Sequence, residues 1–156
     1  MLAVSYRPEE LVAAMKAYNA EHPEMKLTLS VEDTPLGTAG PIALAHDVLL
    51  GKSGNSENVE AVFVLNSDVS CEFHFDKLLA FHRAHGGEGT IMTTPVEDPS
   101  KYGVVVADKA TGRIERFVEK PSTYVGNCIN AGIYLLSPAF IERIKVSFIV
   151  RSFSVL

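Results

Sequence analysis

The chain has 156 residues, 47% of them hydrophobic and 21% charged, which suits one globular domain and excludes disordered and fibrous proteins. Its 14 basic and 19 acidic side chains leave a net charge of −5, which disfavours binding to nucleic acid or to an anionic membrane surface. Cys71 and Cys128 have no zinc-type spacing, and no apolar run is long enough to span a bilayer or form a signal peptide. We therefore expect a cytoplasmic protein with two reduced, partly buried thiols.

Strand and helix patterns alternate along the chain. The predicted strands span residues 2–4, 27–31, 61–65, 90–94, 104–107, 114–118 and 129–135, and the predicted helices begin near residues 8, 41, 75 and 138. Proline favours the start of a helix, as at Pro8, Pro41 and Pro138, and Gly86 suits the end of the third helix. The strands at 104–107 and 114–118 are predicted to form a hairpin.

This order of elements predicts an α/β fold with a mainly parallel mixed sheet flanked by helices. The continuous apolar run at residues 61–65 is typical of a strand covered on both faces, as in parallel sheets. In open α/β sheets, ligands bind in the crevice beyond the carboxyl ends of the strands. Residues near those strand ends are therefore the first candidates for a functional site.

A loop of small residues, Pro35 to Pro41, joins the second strand to the second helix. Small residues allow backbone N–H and C=O groups to approach a planar ligand closely. An ordinary loop and helix start would have the same composition. Asp68, after the buried strand, places one carboxylate at the predicted crevice, where it could help nucleotide phosphates hold Mg²⁺ or could simply cap the following turn.

Two later segments also contain candidate ligand-binding residues. Glu119-Lys120-Pro121 closes a strand, and the two charged residues could serve one pocket only where the pleat breaks, which Pro121 would allow. Asn130 begins another strand and suits recognition of hydroxyl groups, while Gly103 would permit backbone contact with a ligand. A solvated charge pair and ordinary turn chemistry explain these residues equally well.

The remaining sequence features do not indicate a metal site or a catalytic nucleophile. His82 and His85 lie three residues apart on a predicted helix, but no third metal ligand is spaced to join them, so a solvated helical face is expected. The sequence has neither a nucleophile elbow nor a phosphate-binding loop with its lysine.

Six segments taken in order resemble the sugar-1-phosphate nucleotidyltransferase family, and within it the eukaryotic-type mannose-1-phosphate guanylyltransferases. They are TPLGTAGPIALAHD, FVLNSDV, FHFDKLLAFHRAHGGEGTI, DPSKYGVVV, GRIERFVEKP and NAGIYLLSP. The resemblance covers residues 2 to about 145. It implies a Rossmann-like nucleotidyltransferase domain that converts GTP and mannose 1-phosphate into GDP-mannose and pyrophosphate.

The resemblance also implies roles for particular residues. The guanine base and ribose would lie against Leu36, Gly37, Thr38 and Gly40, with Asn66 near the nucleotide. Asp68 would bind Mg²⁺, and Asp68 and Lys120 would be the catalytic pair. The mannose ring would contact Gly103, Glu119 and Asn130, and Lys120 would lie near its phosphate.

The chain also departs from the family pattern. The glycine-rich phosphate loop, its arginine and a following lysine, together with the first strand, are expected to be missing. Residues 1–145 then form a partial nucleotidyltransferase domain, and residues 146–156 form a divergent apolar tail. Because each lost phosphate contact can cost about 3 kcal/mol in the transition state, we expect weak or no activity from this chain alone.

Two other functions remain open at this stage. A noncatalytic regulatory subunit could bind nucleotide sugar and associate with an active enzyme, or a related enzyme could use UTP, dTTP or glucose 1-phosphate. Assembly with itself or with another subunit is also left open by the sequence.

Overall fold

The computed structural model describes residues 1–4, 8–25, 27–32, 39–52 and 58–153. The chain divides into two compact units. The first comprises Met1–Val59 and Pro138–Leu156, and the second comprises Glu60–Ser137.

In its described residues, the first unit has two short strands and four helices. They are β1 (Leu2–Val4), α1 (Pro8–Glu21), β2 (Leu29–Val31), α2 (Gly40–Leu44), α3 (His46–Leu49) and, after the second unit, α5 (Pro138–Phe153). The two strands pair in parallel, with Leu2 opposite Leu29. The helix starts predicted at residues 8, 41 and 138 are confirmed to within one residue.

A charged cluster joins α3 to α5 in the first unit. The buried His46 ring lies between Asp47, 2.7 Å from Nδ1, and Glu142, whose Oε2 is 2.9 Å from Nε2 but poorly aligned for a hydrogen bond. A hydrogen bond from Lys52 and the nearby His46 ring lower the pKa of Glu142, and hydrogen bonds from His46 and Lys145 lower the pKa of Asp47. The cluster is exposed except at His46, so its carboxylates remain ionised at neutral pH.

The second unit consists of five strands and one helix. They are β3 (Val62–Leu65), α4 (Phe75–His85), β4 (Gly89–Pro95), β5 (Gly103–Ala107), β6 (Ile114–Glu119) and β7 (Cys128–Leu136). Gly86 ends α4 with a left-handed backbone, φ +61°. The predicted hairpin is confirmed between β5 and β6, where Oδ1 of Asp108 accepts hydrogen bonds from the backbone N–H groups of Ala110 and Thr111.

The direction of the strands in this second unit differs from the prediction. β7 is antiparallel to β3, β4 and β5, and β5 is antiparallel to β6. The α/β class and parallel pairing in the first unit are confirmed, but the prediction of a mainly parallel sheet is wrong for the pairings described in the second unit. β3 is also only half-buried, with Leu65 exposed, so its apolar run does not mark a strand covered on both faces. β7 separates β3 from β4, which run the same way.

The core of the second unit lies between α4 and the sheet. Leu78 of α4 packs with Ile133 and Leu135 of β7, both fully buried. His82 is also buried, at 7% exposure, and its Nδ1 lies 2.8 Å from Oγ1 of Thr90. The expected solvated face is therefore wrong for His82, because α4 turns this residue towards β4.

Two further expectations concern cysteines and membranes. Cys71 and Cys128 are free thiols, as predicted, but both are exposed rather than partly buried. None of the helices within the described ranges has the length and apolar character needed to cross a bilayer.

Candidate functional site

The residues predicted to form the site are divided between the two units. Leu36, Gly37 and Thr38 lie outside the described residues, and Gly40 is buried at the start of α2 in the first unit. The other six belong to the second unit: Asn66, Asp68, Gly103, Glu119, Lys120 and Asn130.

Gly103 and Glu119 face each other across the hairpin. They are register partners in β5 and β6, and a Cβ atom added at Gly103 would lie 3.0 Å from Oε2 of Glu119 and 2.5 Å from Cζ of Phe117. The carboxylate therefore lies directly over the backbone of Gly103. Because no larger residue fits at this position without displacing its neighbours, the glycine allows the carboxylate to sit there.

Glu119 and Lys120 converge although they are adjacent in sequence. Lys120 has a left-handed backbone, φ +41°, and its N–H donates to the carbonyl of Tyr102. Its Nζ lies 3.8 Å from Oε1 of Glu119. The predicted break in the pleat is confirmed, but it lies at Lys120 itself, and holding a non-glycine residue there costs about 1–3 kcal/mol.

The Glu119 and Lys120 side chains remain accessible. They are 63% and 67% exposed, so solvent screens their mutual attraction and the pair adds little to stability. An accessible carboxylate accepts hydrogen bonds and an accessible ammonium pairs with anions. Side by side, they suit a ligand with both hydroxyl and phosphate groups.

A bulge in β7 shapes the surroundings of Asn130. The register with β4 shifts between Ile91 and Thr93, and Gly132 within the bulge has φ +73°. The Asn130 side chain accepts a hydrogen bond from the Gly132 N–H at 3.0 Å and donates to the Tyr134 hydroxyl at 2.7 Å. Bulges of this kind redirect side chains next to functional sites.

Asn66 contacts the same bulge from the end of β3. Its backbone N–H donates to the Gly132 carbonyl at 2.8 Å. A Cβ atom added at Gly132 would lie only 2.6 Å from Nδ2 of Asn66. The structure therefore brings two predicted residues, Asn66 and Asn130, onto opposite sides of Gly132.

One bridge connects the hairpin to this bulge. Val104 of β5 pairs with Ile129 of β7 in an antiparallel register. Continued by one residue, this register would place Gly103 beside Asn130. Gly103 is also the register partner of Glu119, so these three residues form a row across β6, β5 and β7. Aligned residues share a face of a sheet, so this register places the Glu119 carboxylate and the Asn130 amide on the same face.

Asp68 lies two residues beyond Asn66, in the turn that follows β3. It is exposed and forms no hydrogen bond or ion pair with another described residue. Within the described part of the chain, no three His, Cys, Asp or Glu side chains come together around a metal position. A single free carboxylate fits Mg²⁺ that arrives with nucleotide phosphates and waters, because such an ion needs only one or two protein carboxylates.

A cavity of about 640 Å³ lies elsewhere in the second unit. Its lining includes Phe81, His85, Thr90, Val105 and Arg113, and none of the predicted site residues. The row and the bulge are the better candidate site because a carboxylate and an ammonium lie 3.8 Å apart there and the strand that carries the Asn130 amide pairs with the same hairpin.

Sequence reasoning missed two residues of this site, Gly132 and Tyr134. A signal existed for Gly132, because an isolated glycine within an apolar strand suggests a bulge. Tyr134 gave no comparable signal, since an aromatic residue in a strand is ordinary.

Comparison with known proteins identifies the family of the chain. The family described as nucleotidyl transferase matches residues 1–151. The chain belongs to this family. Within the chain, every residue of the row and the bulge falls inside the matched region.

Two relatives are named mannose-1-phosphate guanylyltransferase 1, from Arabidopsis thaliana, and mannose-1-phosphate guanyltransferase, from Saccharomyces cerevisiae. They are 53% identical over 146 residues and 55% identical over 147 residues, in each case covering 94% of this chain. The chain spans 39% of the length of each relative.

A solved structure shares the family fold. HddC from Yersinia pseudotuberculosis complexed with GMP-PN superposes with a TM-score of 0.63 at 25% identity, over 89% of this chain and 56% of that chain. The predicted nucleotidyltransferase fold is confirmed.

Proposed function

We propose that this chain carries the sugar-binding part of a mannose-1-phosphate guanylyltransferase. In this reaction an oxygen of mannose 1-phosphate bonds to the α-phosphorus of GTP, the bond from that phosphorus to the β-bridging oxygen breaks, and pyrophosphate leaves. The names of the Arabidopsis and yeast relatives support this substrate pair, and the GMP-PN complex of HddC supports a guanine nucleotide. The row of Glu119, Gly103 and Asn130 is the observation that carries the proposal.

The row suits the mannose ring. Glu119 is an acceptor for sugar hydroxyls, and Asn130 offers both a donor and an acceptor. Gly103 between them has no side chain, so the Glu119 carboxylate and the Phe117 ring can lie against its backbone. Lys120, with its ammonium 3.8 Å from the Glu119 carboxylate, is placed to pair with the phosphate of the same sugar.

The turn after β3 carries two of the residues that we assign to nucleotide binding. Asp68 would hold Mg²⁺, which when bound neutralises charge on the nucleotide phosphates. Asn66 would lie beside the nucleotide, and the loop from Leu36 to Gly40 would contact guanine and ribose. The protein positions the two substrates and offsets charge on their phosphates, because this reaction requires no protein nucleophile.

Calorimetric titration with GDP-mannose tests the proposal, and pyrophosphate release from GTP and mannose 1-phosphate measures the activity, which we expect to be weak for this chain alone. Wild-type protein is compared with Glu119→Gln and with Glu115→Gln, a control that removes the same charge from the same exposed strand. Loss of hydrogen bonds to a charged group costs about 1.5–3 kcal/mol, so Glu119→Gln should weaken GDP-mannose binding by about 10- to 100-fold. Glu115→Gln should match wild type.

Three results would contradict the proposal in different ways. Metal-independent binding of GDP-mannose without pyrophosphate release would identify a regulatory, noncatalytic subunit. Faster release with UTP, dTTP or glucose 1-phosphate would identify another nucleotidyltransferase of the family. Equal GDP-mannose affinities for the two glutamate variants would remove Glu119 from the site.

A further inference from the structure

The Asn130 amide is held at both ends. Its Oδ1 accepts from the Gly132 N–H at 3.0 Å, and its Nδ2 donates to the Tyr134 hydroxyl at 2.7 Å. Since a backbone N–H can only donate, the contact with Gly132 defines which end of the amide carries oxygen. These two contacts use one N–H and one lone pair, which leaves a second N–H and a second lone pair for a ligand.

The Tyr134 hydroxyl is the partner that keeps Nδ2 in place. The side chain is half-buried in β7, and within the described residues its hydroxyl has no other hydrogen-bond partner. Without it, the Asn130 amide would be held only by the Gly132 N–H and could rotate about χ2, a torsion with a broad energy profile.

We infer that Tyr134 is a positioning residue, which acts on the sugar through Asn130. It fixes the amide plane so that the remaining N–H and lone pair of Asn130 meet neighbouring hydroxyls of the mannose ring. The inference rests on the proposed function, because it takes mannose as the ligand of Asn130. It adds a residue that does not itself contact the ligand.

Calorimetric titration with GDP-mannose and with GTP tests this role in the full chain. Tyr134→Phe keeps the ring and removes only the hydroxyl, and Tyr18→Phe on α1 is the matched control. Loss of one neutral hydrogen bond should weaken GDP-mannose binding by roughly fivefold. The affinity for GTP, which has no sugar at this end, should stay unchanged in both variants.

A double-mutant cycle distinguishes positioning from direct contact. In an Asn130→Ala background, Tyr134→Phe should cause no further loss of GDP-mannose affinity. An additive loss would instead place the Tyr134 hydroxyl on the sugar and overturn the inference.

A second readout does not depend on the ligand. In ¹⁵N-labelled protein, the Asn130 side-chain NH₂ signals should exchange with water faster in Tyr134→Phe than in wild type. Unchanged exchange, or unchanged GDP-mannose affinity, would overturn the positioning role. Failure of wild-type protein to bind GDP-mannose would instead overturn the proposed function on which the role rests.

Discussion

Replacing Gly132 with alanine tests whether the bulge in β7 holds the site together. Gly132 has φ +73°, a region that L-residues rarely adopt. The added Cβ would also lie 2.6 Å from Nδ2, 3.0 Å from Cγ and 3.1 Å from Cβ of Asn66. The substitution therefore imposes two separate costs, one on the backbone and one on the Asn66 side chain.

Each cost has an expected size. A left-handed backbone costs alanine about 1 kcal/mol or slightly more. Overpacking costs about 1–3 kcal/mol, and because Asn66 is exposed and can move, we expect the lower end of that range. Gly132→Ala should then destabilise the protein by about 2–3 kcal/mol. Gly86→Ala isolates the backbone cost, at about 1 kcal/mol, because Gly86 has φ +61° and nothing within 4 Å of an added Cβ.

Urea unfolding followed by circular dichroism measures both variants under the same conditions. Adding Asn66→Ala to Gly132→Ala removes the two closest atoms, Nδ2 and Cγ, and should restore about 1 kcal/mol. If Gly132→Ala is no less stable than Gly86→Ala, or if Asn66→Ala brings no recovery, then the contact between Asn66 and Gly132 does not constrain the bulge.

Three more predictions concern pH, the hairpin and the metal. Burial, and then the charge of His85, lower the pKa of His82 below that of an ordinary histidine, so the unfolding free energy measured in urea should fall as the pH decreases from 7.5 to 5.5. The unfolded state binds the proton more readily in that range, and His82→Gln should flatten the profile; a flat wild-type profile would contradict this. Gly103→Ala should displace Glu119 and weaken GDP-mannose binding by about tenfold in calorimetry, while unchanged affinity would argue against the row. Asp68→Asn should abolish the Mg²⁺ dependence of GTP binding, and full retention of that dependence would assign the metal to other ligands.

Local sequence patterns predicted the elements more accurately than their arrangement. Proline at residues 8, 41 and 138 and glycine at residue 86 act through fixed backbone preferences, so the helix ends could be predicted. The direction of β7 could not be predicted, because an apolar strand reports only that both of its faces are covered. Pairing depends on contacts between residues far apart in the chain, such as Val62 with Leu136.

The candidate site was predictable in composition but not in geometry. Glu119 and Lys120 had to share a pocket for the hypothesis to hold, and the left-handed backbone of Lys120 brings them together. The sequence indicated that Gly103 has room for a ligand, whereas the structure shows that Glu119 and Phe117 occupy the space above it. That difference arises from the register of β5 with β6, which no single motif encodes.

A crystal structure of the chain with GDP-mannose and Mg²⁺ tests the central claim most directly. We predict mannose hydroxyls within hydrogen-bond distance of the Glu119 carboxylate and the Asn130 amide, and a phosphate beside Lys120. Mannose bound in the cavity near His85 and Arg113, with Glu119 and Asn130 free of ligand, would contradict the account.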